Sequence, residues 1–136
     1  MSFNDQQILR FLLDYTGGHE LSSFGAIDPV YDPYDWGPHR LPWHGSSGVS
    51  YYYTNNANRN NEVRPVQDGS GCWRCFRGKI AIRDGQGSNA VMYKNMFKFI
   101  PLGNGGRRNW IMTEYTLHPN MSDGNKGICA IQKEGS

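Results

Sequence analysis

The sequence predicts a mainly β domain of the α+β class, with one twisted antiparallel β-sheet and an N-terminal helix packed against it. Aromatic residues make up 13% of the chain, and aromatic side chains suit half-buried strand positions better than long helices. The 17 glycines and 7 prolines divide the chain into short segments, which favours strands and loops. The length of 136 residues suits one core, so we expect a single domain over residues 1–136.

The first predicted element is a helix over residues 4 to about 16. Asn4 and Gln7 have the spacing of a capping box, in which each side chain bonds to the backbone N–H of the other residue. The apolar stripe of this helix consists of Ile8, Leu9, Phe11, Leu12, Leu13 and Tyr15. Gly17 and Gly18 end the helix. We expect the stripe to pack in the core.

Six strands are predicted after an irregular segment. Four prolines between residues 29 and 42 push the residues before them away from helical geometry, although a short helical turn is expected near 22–27. The predicted strands cover residues 49–54, 72–77, 79–83, 90–100, 109–117 and 127–132. Asp84-Gly85 and residues 103–106 predict turns between strands.

Positive charge is concentrated in the middle of the chain. Between Asn55 and Trp110, ten basic residues stand against three acidic ones, a formal charge of +7. Residues 1–54 carry −4 and residues 111–136 carry −1. A basic segment with interleaved aromatic residues and polar loops is typical of a surface that binds a phosphate-lined partner. The alternative is a solvated face on which charges cluster without a nucleic-acid partner.

Several classes of protein are disfavoured. The chain has no run of 18 apolar residues and no secretory signal, so we expect no membrane span and no export. Its three cysteines argue against a secreted disulfide framework and for a reducing compartment, the cytosol or the nucleus. No acid–base or nucleophile constellation is recognisable, so we expect no enzymatic activity, no cofactor and no small-molecule substrate.

A zinc site is the main alternative among these residue patterns. Cys72 and Cys75, together with His39 and His44, supply the residue types of a Cys₂His₂ site. However, the order of the pairs is reversed, and the two cysteines would point to opposite faces of a strand. We therefore expect no metal ligands, and metal analysis would test the zinc-stabilised alternative.

One segment resembles a known family. Residues 107–117, Arg-Arg-Asn-Trp-Ile-Met-Thr-Glu-Tyr-Thr-Leu, are similar to the strand Thr-Asn/Asp-Trp-Val-Met-His-Glu-Tyr-Arg-Leu of the plant NAC domain. The matching positions are Asn109, Trp110, Met112, Glu114, Tyr115 and Leu117. Thr113 and Thr116 replace the usual His and Arg.

Four further motifs follow the family pattern in the same order. Residues 5–9 are similar to the Asp-Glu-Glu-Leu that opens the family's first helix, and residues 28–36 to its Asp-x-Tyr…Pro-Trp segment. Residues 51–54 stand where the family has Trp-Tyr-Phe-Phe. Arg64-Pro65, Gly69-Ser70-Gly71, Trp73, Gly78 and Ile82 follow Ser-Arg-Pro…Gly-Ser-Gly-Tyr-Trp-Lys-Ala-Thr-Gly-Lys-Asp-x-x-Ile.

The resemblance implies a NAC-type fold and a function in the plant nucleus. A domain of this family is a transcription factor that binds double-stranded DNA by presenting a β-strand to the major groove. The family's DNA sites contain a CGT-type core. Its possible protein partners are NAC-type chains, in a homo- or heterodimer.

Two departures from the family pattern bear on these expectations. The family's opening segment, Leu-Pro-Pro-Gly-Phe-Arg-Phe, is expected to be missing because Met1 begins almost at the helix, and that segment helps the family dimerise. The core Trp-Lys-Ala-Thr-Gly-Lys, whose strand enters the groove, becomes Trp-Arg-Cys-Phe-Arg-Gly at residues 73–78, with its glycine one place later. Phe76 therefore replaces Thr, and its ring either reaches a thymine methyl or clashes with the groove. A second family arginine, just after Arg-Pro, becomes Gln67.

The predicted DNA-binding residues are Arg64, Trp73, Arg74, Phe76, Arg77, Lys79, Lys94 and Arg107. Arg74 is expected to read bases, because a guanidinium group can donate two hydrogen bonds to guanine. Five others are expected to hold phosphates, with a log K against log salt slope of roughly −4 to −5: Arg64, Arg77, Lys79, Lys94 and Arg107. Each has a structural alternative, such as bracing a loop for Arg64 and packing in the core for Trp73. Arg74 and Arg77 can share a face only if the strand is bulged.

A second hypothesis keeps the fold and changes the function. The altered strand at residues 73–78 is compatible with a NAC-like protein-interaction module whose DNA binding is weakened or lost. Salt-dependent binding to a duplex separates the two hypotheses.

Overall fold

A computed structural model describes residues 2–18, 26–44, 48–57, 62–83, 89–103, 109–121 and 125–134. Within these residues, seven strands form one sheet and a helix packs against it. The helix α1 spans Asp5–Thr16. The strands are β1 (Ile27–Asp28), β2 (Val49–Thr54), β3 (Val63–Pro65), β4 (Gly71–Arg83), β5 (Ala90–Pro101), β6 (Asn109–Leu117) and β7 (Gly127–Glu134). A 3₁₀ turn covers Pro38–Arg40.

The N-terminal helix forms as its capping residues predict. The Asn4 side chain accepts a bond of 2.9 Å from the Gln7 N–H, and the Gln7 side chain accepts one of 2.9 Å from the Asn4 N–H. The Gly17 N–H bonds to the Leu13 carbonyl where the helix ends. Ile8 and Leu12 are fully buried on the side that faces the sheet. The predicted helix is confirmed, and so is the core role of its apolar stripe, except at Leu13, which is 40% exposed because it points away from the sheet.

The sheet order is β1-β2-β7-β6-β5-β4-β3. Every neighbouring pair is antiparallel except β1 and β2, which run parallel over two residues. This order confirms a mainly β fold with one helix. The short strands β1 and β3 were not predicted, since two or three residues carry no readable alternation. The helical turn expected near 22–27 lies mostly outside the described residues, and Ile27 belongs to β1.

One prediction about the strands is wrong. Residues 72–77 and 79–83 form the single strand β4 rather than two strands separated at Gly78. A Cβ at Gly78 would collide with the side-chain oxygen of Asn95 on β5. The glycine therefore allows a close approach between two strands and does not interrupt β4. The turn predicted at Asp84-Gly85 lies outside the described residues, as does most of the turn predicted over 103–106.

The two faces of the sheet carry separate apolar clusters. The loop face is covered by residues 26–44, and its cluster includes Tyr34, Leu41, Tyr52, Trp73, Phe97, Trp110, Met112 and Ile131. The helix face is covered by α1, and its cluster includes Ile8, Leu12, Tyr51, Ile82, Met92, Leu117 and Ile128. Neighbouring residues of one strand enter different clusters, as the alternation of a strand requires. The main contacts of α1 are with β6 and β7, and the Tyr15 ring packs on Tyr53 of β2.

Two aspartates attach the covering loop to the sheet. Asp32 accepts hydrogen bonds from the Thr54 hydroxyl at 2.8 Å and from the Asn56 side-chain amide at 2.9 Å. Asp28 accepts from the N–H groups of Val30 and Tyr31 and lies 2.7 Å from Nε2 of His44. Burial raises the pKa of Asp28, but the hydrogen bonds from His44, Tyr31 and Val30 outweigh it and hold the pKa below its ordinary value of 3.8. In the part of the chain that the structure describes, no helix is long and apolar enough to cross a membrane.

Candidate nucleic-acid interface

The candidate site is built on the free edge of β4. Strand β3 pairs only with residues 72–74 of β4, and Cys75 adds one backbone bond to the Glu62 carbonyl. Beyond this point, no strand of the described residues pairs with β4 on the side away from β5. Three of the predicted site residues lie on this unpaired stretch and are exposed: Phe76, Arg77 and Lys79. Arg74 is also exposed, at the end of the segment that pairs with β3. A charged edge resists pairing with another sheet and leaves the strand accessible.

A β-bulge decides which of these side chains share a face. Cys75 lies opposite Phe97, whereas Arg77 lies opposite Met96, so Phe76 is an extra residue without a partner of its own on β5. Arg74 lies opposite Lys98. Residues opposite each other in a sheet project from the same face. Arg74 and Arg77 therefore both project from the helix face, which a strand without a bulge would not allow.

Lys98 joins this pair and was not predicted as a site residue. It is exposed, and cross-strand pairing places it beside Arg74 on the helix face. A readable signal existed, because Lys94 and Lys98 are separated by four positions and so lie on one face of the same strand. We call Arg74, Arg77 and Lys98 the basic patch.

The basic patch is not neutralised by the protein itself. Within the described residues, no acidic side chain lies within ion-pair distance of Arg74, Arg77 or Lys98. Lys94 lies on the same face, but its Nζ is 3.9 Å from a carboxylate oxygen of Asp5 in α1. The charges of the patch are therefore available to an external anion.

Lys79 lies apart from the basic patch. Its Nζ is 4.3 Å from the ring centroid of Tyr93, which stacks on His118 with 5.6 Å between centroids. Tyr93 alternates with Lys94 along β5 and so belongs to the loop face. The Lys79 side chain therefore projects from the loop face, whereas Arg74 and Arg77 project from the helix face.

Arg64 is buried on the loop face. It is 6% exposed, and its guanidinium lies 3.5 Å from Glu114 and 4.1 Å from the ring centroid of Tyr34. It also donates to the backbone carbonyl of Asn56. Burial and the Glu114 carboxylate raise the pKa of Tyr34 well above its ordinary value, so the phenol stays protonated and donates to Glu114. This geometry favours the structural alternative for Arg64.

Trp73 is also a core residue. Its side chain has no exposed surface, its ring packs at an angle on Phe99 with 5.1 Å between centroids, and its Nε1 donates to the Pro33 carbonyl at 3.3 Å. Arg107 lies outside the described residues, so its predicted phosphate contact stays a prediction.

The cysteine and histidine motif is dispersed in the fold. Cys72 lies opposite Ile100 and Cys75 opposite Phe97, on different faces of β4. His44 is engaged by Asp28. Among the residues that the structure describes, no three His, Cys, Asp or Glu side chains are grouped as metal ligands.

The chain matches a known protein-family model. The family model described as No apical meristem (NAM) protein matches residues 2–117, which is most of the chain. A search of curated proteins found no match. The match agrees with the mainly β fold and with the order of motifs along the chain. The chain therefore belongs to the No apical meristem (NAM) family, whose shared unit is the NAC domain, the DNA-binding domain of plant NAC transcription factors.

Proposed function

We propose that this chain binds double-stranded DNA sequence-specifically in the nucleus and regulates transcription, with β4 presented to the major groove. The observation that carries the proposal is the bulge at Phe76, which brings the exposed side chains of Arg74 and Arg77 to one face of an edge strand. A major groove about 12 Å wide admits a two-stranded ribbon. The ribbon here is β4 with β5.

The basic residues divide between two roles in this proposal. Arg74 reads a guanine through O6 and N7, and Arg77, which was expected to hold a phosphate, is close enough in register to read a neighbouring base. Lys98, Lys79 and Lys94 contact phosphates, with Lys94 leaving Asp5 to do so. Phosphate contacts supply affinity and register, whereas base contacts supply specificity. Arg107 keeps its predicted phosphate role.

The unpaired charge of the basic patch supports the roles proposed for Arg74, Arg77 and Lys98. A surface cation that already has a carboxylate partner gains little from a phosphate, because it exchanges one ion pair for another. Arg74, Arg77 and Lys98 have no such partner among the described residues. When these side chains neutralise phosphates, counterions condensed on the DNA are released, so the affinity falls steeply as the salt concentration rises.

A second candidate function is protein interaction without DNA binding. The observation that favours it is an exposed apolar group on the covering loop, in which Val30 is 78% exposed and Tyr31 and Trp36 are each about 40% exposed. Exposed apolar patches mark interaction sites when they are contiguous, and the Tyr31 and Trp36 rings lie 6.1 Å apart. A NAC-type chain, in a homo- or heterodimer, is the partner that the family favours.

Fluorescence anisotropy tests the main proposal. The probes are a duplex with a CGT-type core and a scrambled duplex, each at two salt concentrations. The proteins are the parent, Arg74→Ala and, as a matched control, Arg10→Ala, which removes the same charge from the exposed side of α1. The parent should prefer the CGT-type duplex and lose affinity as salt rises. Arg74→Ala should remove about 1–3 kcal/mol of that preference, and Arg10→Ala should keep it.

Two outcomes would decide against the proposal. Equal, weak binding to both duplexes that Arg74→Ala leaves unchanged would favour the interaction module. A loss of preference in Arg10→Ala as large as in Arg74→Ala would show that total charge, rather than base reading by β4, determines the result.

A further inference from the structure

We infer that Phe76 is a specificity-determining residue that recognises the C5 methyl group of a pyrimidine beside the guanine read by the basic patch. The inference rests on the proposed function, since it concerns the same strand in the same groove. Its ligand chemistry is a 5-methylpyrimidine, which is thymine in ordinary DNA and 5-methylcytosine in methylated DNA.

The position of Phe76 is the first support. It lies between Arg74 and Arg77 at the crest of the bulge, where it has no residue opposite it on β5. Its side chain is 52% exposed, which makes it the most exposed large apolar residue in any strand of the described chain. Neither core cluster includes it. An aromatic ring in this position contributes little to the stability of the fold and has water to lose on binding.

The chemistry of the groove is the second support. The pyrimidine C5 methyl is the apolar feature that the major groove presents, and phenylalanine is one of the side chains that contact it. Phe76 lies between the two arginines that are proposed to read bases, so its ring enters the groove next to the guanine. The methyl of a pyrimidine adjacent to that guanine is then the apolar group nearest to the ring. The CGT-type core contains that arrangement, because its thymine follows the guanine.

Replacing thymine by deoxyuridine removes this methyl and nothing else from the duplex. Removal of one buried methyl costs about 0.8 kcal/mol, which corresponds to about fourfold in affinity. The parent should bind the CGT-type duplex about fourfold more tightly than the same duplex with deoxyuridine at that position. A second duplex, with 5-methylcytosine in place of cytosine in the core, shows whether the other source of the same methyl is also recognised.

The protein variants assign the effect to Phe76. Phe76→Ala and Phe76→Thr should bind the thymine and deoxyuridine duplexes equally, and both should retain the preference of Arg74 for the CGT-type core over a scrambled duplex. Ile100→Ala is the matched control, because it removes an apolar side chain of similar exposure from the neighbouring strand. It should keep the fourfold difference. A thermal melt of each variant checks that the fold is unchanged.

The outcomes separate this inference from the proposed function. Equal binding of the two duplexes by the parent, with preference for the CGT-type core retained, would overturn the role of Phe76 alone. A thymine preference that persists in Phe76→Ala would also overturn it. Loss of all preference between CGT-type and scrambled duplexes in the parent would overturn the proposed function together with this inference.

Discussion

Arg64 and Arg74 lie on neighbouring strands, one position apart in the register, yet their surroundings are opposite. Arg64 pairs across the sheet with the buried Trp73, and Val63 pairs with Arg74. Arg64 projects into the loop face, where Glu114 and Tyr34 surround its guanidinium. Arg74 projects from the helix face beyond the reach of α1 and is exposed. The two arginines show that residue type in a family motif does not by itself assign a role.

The difference also separates stability from binding. The loop face contains charges that are buried and paired, so removing Arg64 takes a positive charge away from a buried carboxylate. The basic patch contains charges that are exposed and unpaired, so removing one leaves the fold unchanged. Substitutions on the loop face should therefore change the free energy of unfolding, and substitutions in the basic patch should change the affinity for DNA.

The largest expected effect is that of Arg64→Met on stability. The change removes the Arg64 guanidinium from beside the Glu114 carboxylate, which is 2% exposed, and should lower the free energy of unfolding by about 3–5 kcal/mol. Urea denaturation followed by circular dichroism measures it. Arg74→Met is the matched control and should stay within about 0.5 kcal/mol of the parent. Equal stability of the two variants would contradict the conclusion that Arg64 stabilises the fold and Arg74 does not.

Next in size is the effect of Arg77→Ala on DNA specificity. If the bulge places Arg77 beside a base, this change should lower the preference for the CGT-type duplex over a scrambled one by about 1–3 kcal/mol. Lys79→Ala is the control, because the Lys79 side chain projects from the opposite face of the sheet. This substitution should weaken binding to both duplexes equally. Competition anisotropy measures both ratios. A uniform loss in Arg77→Ala would return that residue to its predicted phosphate role.

A smaller effect is expected for Asp28→Asn on the pH dependence of stability. The pKa of Asp28 lies below its ordinary value of 3.8 in the folded state. Its contribution is therefore complete above pH 3.8 and is lost as the pH falls through the folded-state pKa. The free energy of unfolding of the variant should be about 1 kcal/mol lower than that of the parent at pH 7. Below pH 3.8 it should change less with pH than that of the parent. Urea denaturation from pH 7 to pH 3 checks this, and curves that remain parallel throughout would contradict it.

The smallest effect is that of Lys98→Ala. If Lys98 contacts one phosphate, the magnitude of the log K against log salt slope should fall by about 1, while the preference between duplexes stays the same. Anisotropy titrations over a series of salt concentrations measure the slope. A changed preference with an unchanged slope would instead assign Lys98 to base reading.

Particular residues explain how far the sequence could predict the fold. Asn4 and Gln7 predict the start of the helix, because a capping box involves only residues that are close in sequence. Residues 49–54 are rich in residue types that favour strands, residues 109–117 alternate, and the structure gives both strands the predicted bounds. Strand β3 has three residues and forms because it pairs with β4. No pattern within those three residues predicts this pairing. Gly78 was misread because the reason for it, Asn95, lies on another strand.

The candidate site was predictable in part. The basic middle segment and the exposed residues of β4 follow from composition and motif order. The burial of Arg64 depends on Glu114, fifty positions away in the chain, and was not readable from its own neighbours. The bulge had a sequence signal, since the glycine of the family pattern stands one place later here and an extra residue in a strand is what a bulge accommodates.

The family, the helix, the long strands and the concentration of positive charge follow from the amino-acid sequence, because they depend on neighbouring residues and on composition. The burial of Arg64, the position of Lys98 beside Arg74 and the exposure of Phe76 at the crest of a bulge follow from the fold. The physical reason is that a side chain's face, and hence its water or its ion partner, is set by strand register, and register depends on residues distant in sequence.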